Sequence, residues 1–224
     1  MIAGVHKGVT APSNVEGVQE EEALNYEFGI RHRSDSHRVE MIGFLSDYDN
    51  LLGECTASSG ANCEIGDAFN GDAVTVRGVE FIAGTELAGS NVPLELAYTY
   101  IDGSFDTDIA DTAFFGDVSA GDPIPYIPKH QLYAMIGFVR PQWAVHLSAN
   151  FVDKTCVRAA CGVFEMTDSS FTVDIAGRWS VNDNLGLFAR VENLADSSDI
   201  VGLHPYGARP NKSRTALVGL DLSF

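Results

Sequence analysis

Four cysteines are the residues whose type and spacing could most readily carry chemistry, and they fall as two local pairs, Cys55 with Cys63 and Cys156 with Cys161. Thiolates bind metals, but C-x₇-C and C-x₄-C are not zinc-ribbon spacings. A four-cysteine metal site is therefore disfavoured, and no other metal set stands out. His6, His32, His37, His130, His146 and His204 are scattered, without an H-E-x-x-H pair, a G-x-S-x-G elbow or a P-loop. Nothing singles out a carboxylate dyad, so no enzyme is expected. The net charge of −17 disfavours nucleic acid as a partner. It is carried by runs: Glu16, Glu20, Glu21 and Glu22 crowd one stretch. Asp102, Asp106, Asp108, Asp111, Asp117 and Asp122 crowd another, with no Lys or Arg before Lys129. Such runs read as solvated surface, with divalent-cation binding as the functional alternative.

What must position these residues is a set of strands. In "RTALVGLDLSF", residues 214–224, Ala216, Val218, Leu220, Leu222 and Phe224 share one parity, and Thr215, Gly219, Asp221 and Ser223 the other. A period of two puts these sets on opposite faces of a strand. Residues 24–33, 142–151 and 171–181 alternate as cleanly. Looser alternations, expected to hold bulges or glycine kinks, cover 37–48, 73–87, 92–102, 129–140 and 185–195. With residues 2–8 and the final segment the expectation is ten strands.

No apolar run is long enough for a transmembrane helix, but a spanning barrel strand needs only about ten residues, half of them polar. The opening "MIAGVHKGVT" shows no signal-peptide pattern. Short polar turns at 33–36, 87–93, 140–142 and 181–184 alternate with long stretches at 9–22, 49–72, 103–127, 153–169 and 196–213. Long unstructured loops are uncommon in compact soluble domains. Short turns on one rim and long loops on the other are the habit of outer-membrane barrels. Trp143, Phe151, Phe171, Trp179 and Phe224 lie near strand ends on the apolar parity, where interfacial girdles would sit.

A family resemblance rests on particular residues. "VENLADSSDIVG" carries Asn193, Leu194 and Asp196 as an Asn-Leu-x-Asp turn, and Ala208, Arg209 and Pro210 approximate a Gly-Arg-Pro stretch before a last strand ending in Phe224. Ala11 and Pro12, then Tyr26, Glu27 and Gly29, then Val76, Gly78 and Glu80 follow in matching order. The chain resembles the C-terminal barrel portion of TonB-dependent outer-membrane receptors, most like the ferric-dicitrate branch through "GVHKG", "NLLGECTASSG" and "FNG".

The resemblance implies an all-β, antiparallel transmembrane β-barrel portion, about ten strands of a larger barrel of the twenty-two-stranded type. It implies short periplasmic turns, long extracellular loops, and residues 1–224 as one C-terminal barrel part with plug domain and TonB box absent. The implied function is outer-membrane transport of a ferric chelate, citrate or siderophore, in a Gram-negative bacterium. No cofactor is implied, the chelate being cargo. Implied partners are outer-membrane lipid and lipopolysaccharide, the barrel assembly machinery reading Phe224, and TonB acting through the plug of a full-length parent. The alternatives are a soluble β-sandwich binding module and a non-functional remnant of a truncated receptor gene.

In this setting each cysteine pair lies within one external loop of an oxidising compartment and is expected as a disulfide. An anionic, hydrogen-bond-rich chelate would meet Arg and Asn side chains, and Asn70, Arg209 and Asn211 are the loop candidates. Arg31, Arg178 and Arg190, on the polar parity, are expected to pair with Glu27, Asp174 and Glu192 or their neighbours.

Overall fold

The computed structural model describes residues 2–7, 19–54, 68–87, 90–112, 116–203 and 207–223. Cys55, Cys63, His204 and Phe224 therefore lie outside the described residues. Ten strands form one antiparallel sheet in which every neighbour in space is the next long strand in sequence. They are β1 (Ile2–Lys7), β2 (Glu22–Arg33), β3 (His37–Asp49), β4 (Val74–Leu87), β5 (Val92–Phe105), β6 (His130–Val139), β7 (Trp143–Val152), β8 (Ser170–Asn182), β9 (Leu185–Glu192) and β10 (Thr215–Leu222). The ten strands expected from alternation are all present.

One face of this meander is apolar below the loop rim. Across β2, β3, β4, β5, β6, β7 and β8 a single register row runs Ile30, Met41, Phe81, Tyr98, Leu132, Phe151 and Phe171. Directly opposed residues point to the same side of a sheet, so these seven side chains share one surface. Nearer the turn rim Trp143 opposes Trp179, which opposes Leu187, which opposes Leu220. These large side chains are not covered: Trp143 is 43% exposed, Trp179 53%, Phe28 65% and Ile30 64%. A sandwich would bury such a face beneath a second layer, and among the described residues there is none.

The opposite face is polar over the turn half and apolar near the loop rim. The parity is continuous from strand to strand, and the wall's one break in register lies between Ser180 and Asn182. The looser alternation of β3, β4 and β5 therefore does not come from bulges. It comes from Ile42, Phe44, Val74, Val76 and Phe105, apolar residues on the second face. Gly84 shows the role of a strand glycine here: a Cβ at this position would fall 2.9 Å from Nε of Arg38. Its bare backbone lets the Arg38 guanidinium cross β4 and reach Glu95 on β5 at 2.8 Å.

The long connections contain structure that alternation did not reveal. Leu52–Glu54 pairs with Ala68–Asn70, Ile109–Thr112 with Gly116–Val118, and Ile200–Gly202 with Arg209–Pro210. A 3₁₀ turn occupies Val163–Glu165. Two to four residues per strand are too few for a period of two to register.

Candidate functional site

The loop rim of the polar face is where the long connections converge, and it is built on a small hydrophobic core. The row Tyr48, Val74, Phe105 ends β3, β4 and β5. Val118 and Ala159 from two different loops join Val74 and Phe105, and Leu51, Ile109 and Ile124 pack around them. Val74, Phe105 and Ala159 are at most 1% exposed. The rim is thus fixed by apolar burial on the side away from the uncovered aromatic surface.

The segment 119–128 is held as an extension of the wall. Phe105 N–H donates to Asp122 O at 3.0 Å, and Ile124 N–H donates to Gly103 O at 3.1 Å. Cys156 and Cys161 are joined by a disulfide with Cα atoms 5.7 Å apart, as expected. Its purpose is visible in what lies between: Val157 is 2% exposed and Ala159 fully buried. The crosslink closes a tight turn that inserts these two side chains into the rim. Arg158 pairs with Glu165 at 3.3 Å across the same turn.

The candidate ligand residues take distinct places. Asn70 donates from Nδ2 to Asn50 O at 2.9 Å and Gln19 O at 3.0 Å, and its Oδ1 accepts from Gln19 N–H at 2.7 Å. Asn211 accepts from Asp199 N–H at 3.2 Å and donates to Ser197 Oγ at 3.3 Å. Both amides tie loop backbones together. Arg209 is exposed on the short strand beside Ile200–Gly202, and a Cβ on Gly202 would sit 2.9 Å from its Nη2. Arg209 and Asn211 share the 196–213 connection, while Asn70 lies in the 49–72 connection.

Asn193 is the residue whose structural weight the motif spacing hinted at. It is 3% exposed and has a φ of 51°, a conformation that asparagine tolerates better than most residues. Its Nδ2 donates to Ser197 O and Lys212 O, each at 2.9 Å, while Oδ1 accepts from Ser197 N–H at 3.0 Å. Asp196 accepts from Arg214 N–H at 2.9 Å. The Asn-Leu-x-Asp motif is a knot closing the 193–214 connection.

Ion pairs line the polar face. Arg31 pairs with Glu40, not with Glu27 on its own strand, because Glu40 stands opposite it in register. Arg190 lies 2.9 Å from Glu192 and 3.9 Å from Asp174, as expected, while Lys212 also pairs with Glu192. Arg178 stands between Ala144 and Phe188 in its row. Among the described residues there is no cluster that could hold a metal ion.

An uncovered apolar face, a polar face with ion pairs, and an up-and-down order of strands describe a barrel wall. The model of the family "TonB dependent receptor-like, beta-barrel" matches residues 3–194. The chain belongs to this TonB-dependent receptor β-barrel family. A comparison with curated protein sequences found no significant match. Among solved structures, the copper transporter OprC superposes with a TM-score of 0.75 at 16% identity, covering 99% of this chain and 36% of OprC. The ferric yersiniabactin uptake receptor FyuA from Yersinia pestis gives 0.73 at 16% identity, covering 99% and 33%. The ferripyoverdine receptor of the outer membrane of Pseudomonas aeruginosa gives 0.68 at 16% identity, covering 92% and 28%. This receptor barrel chain thus spans about a third of the length of the structures it resembles. At such identities the likeness establishes the shared fold.

Proposed function

We propose that this chain is the C-terminal part of the barrel wall of a TonB-dependent receptor for uptake of a ferric chelate, citrate or siderophore, across a Gram-negative outer membrane. The uncovered aromatic face supports this reading: Trp143, Trp179, Phe171 and Ile30 stand on it, while Arg31, Glu40, Arg38 and Glu95 stand on the other. The apolar face meets hydrocarbon and the ion-paired face lines the lumen. The short turns are periplasmic and the 49–72, 103–127, 153–169 and 196–213 connections external. In that setting Asn70 and Asn211 brace the loops, and Arg209 offers a guanidinium to an anionic chelate. A plug in a longer parent would receive energy from TonB, and Phe224 would be read by the assembly machinery.

The related solved structures are named for copper, ferric yersiniabactin and ferripyoverdine, which support a metal or metal-chelate cargo without choosing among them. Purified chain refolded into vesicles of brominated phosphatidylcholine tests the placement. Quenching of Trp143 and Trp179 is expected. A detergent-free monomer with unquenched tryptophans would overturn it. Growth of the source bacterium with and without the gene on single ferric chelates tests the cargo, and indifference on every chelate sinks the uptake reading.

A further inference from the structure

At the loop rim of the apolar face the side chains change character within one register step. The row Met41, Phe81, Tyr98, Leu132 is followed by Gly43, Val79, Tyr100, His130, and the next row is Leu45, Arg77, Asp102. Arg77 and Asp102 therefore project to the same side as the aromatic residues beneath them, away from the lumen. Lys129, one residue before β6, joins them: its Nζ is 2.9 Å from Asp102 Oδ1, and Arg77 Nη2 is 3.0 Å from Asp102 Oδ2. The cations reach further out than the carboxylate between them, at 68% and 57% side-chain exposure against 21%.

Below this trio lies a polar-tipped aromatic shelf. Tyr98 Oη and His130 Nδ1 are 2.8 Å apart, and the His130 ring lies against both Tyr98 and Tyr100. Above it the surface is acidic: Thr75 Oγ1 donates to Asp106 Oδ2 at 2.7 Å and to Asp47 Oδ1 at 3.3 Å. The two cations are thus confined to a narrow band between apolar and acidic zones.

The height of that band identifies its environment. From Val92, at the turn end of β5, to Asp102 the strand runs about 33 Å at ordinary strand rise, or about 25 Å along the barrel axis at ordinary tilt. That is the thickness of the apolar band of a spanning barrel. Arg77 and Lys129 then lie at the depth of the lipid phosphates, with hydrocarbon below and water above.

We infer that Arg77 and Lys129 form a clamp for the phosphate of an anionic lipid headgroup in the outer leaflet, seated on Tyr98, Tyr100 and His130. Asp102 holds the two cations side by side and faces away from the ligand. An outward fork of guanidinium and ammonium suits a phosphate that approaches from the membrane plane. This inference rests on the apolar face lying against lipid.

The test uses the whole chain in neutral detergent, with binding of short-chain phosphatidylglycerol compared with short-chain phosphatidylcholine. The wild-type chain should prefer phosphatidylglycerol about tenfold. Arg77→Gln with Lys129→Gln should abolish the preference, while Arg31→Gln on the lumen face leaves it unchanged. Asp102→Asn, which removes the competing carboxylate, should tighten binding severalfold, and this gain tests the clamp should the double variant fail to fold. Absence of a headgroup preference, its equal loss in Arg31→Gln, or weaker binding in folded Asp102→Asn would overturn the inference. Displacement by inorganic phosphate as effective as by soluble lipid would assign the site to a free anion instead. Tryptophan quenching in brominated vesicles with no headgroup preference would remove the clamp and leave the membrane placement standing.

Discussion

The ring of Phe44 on β3 lies over the backbone of Gly78 on β4, so closely that a Cβ built on Gly78 would fall 2.5 Å from Cζ of Phe44 and 2.2 Å from Tyr100 O. The second of these contacts is with backbone and has no side-chain freedom to yield. Gly78→Ala is expected to destabilise the wall by about 3 kcal/mol through overpacking. Gly43→Ala, whose nearest neighbour would be 4.0 Å away, is expected to change little. Thermal loss of the strand signal in circular dichroism, measured in detergent, checks both. Equal midpoints for the two variants would contradict the packing argument.

Cys156 and Cys161 close a short turn that buries Val157 and Ala159. Loop-closure entropy alone makes this crosslink worth about 2 kcal/mol to the local structure. Reduction, or Cys156→Ser with Cys161→Ser, is expected to release the turn and speed proteolysis within 153–169 without altering the strands. The cleavage rate before and after a reductant is the readout, and an unchanged rate would mean that the rim core holds without it.

Asn193→Ala leaves Ser197 and Lys212 backbone groups without their partners in a buried setting. The expected cost is about 3 kcal/mol, felt as local opening of residues 194–213. Amide hydrogen exchange should accelerate there and remain slow in β6 and β7. Acceleration spread evenly over the sheet would contradict a local knot.

The hydrogen bond to Asp102 holds the Lys129 ammonium above the ordinary lysine range, outweighing partial desolvation. A base whose folded value is raised contributes stability that is complete below its unfolded value and lost as pH rises through the folded one. The stability difference between wild type and Lys129→Gln should therefore stay constant from about pH 6 to 9 and vanish only in strong alkali. A difference that changes near neutrality would show that another group governs it.

Strand number and order were legible because apolar side chains recur at every second residue of the long strands. Trp143, Trp179, Phe151 and Phe171 announced their shared face by parity alone, and register then paired them directly. Cross-strand partners were not legible, since Arg31 finds Glu40 only once β2 and β3 are aligned. The hairpins at Leu52–Glu54 and Ile109–Thr112 were hidden by their brevity. The outward trio was harder still. Asp102 read only as the first member of an acidic run and Arg77 drew no reading, and only the pairing of β4 with β5 joins them.

Among the described residues, strands β1 and β10 are each bonded to one neighbour, so each presents a row of amide and carbonyl groups on its far side. Water would satisfy those groups, and hydrocarbon offers them nothing. An extended peptide laid along either edge would complete that row of hydrogen bonds, so the two edges are the places where this sheet invites a further strand.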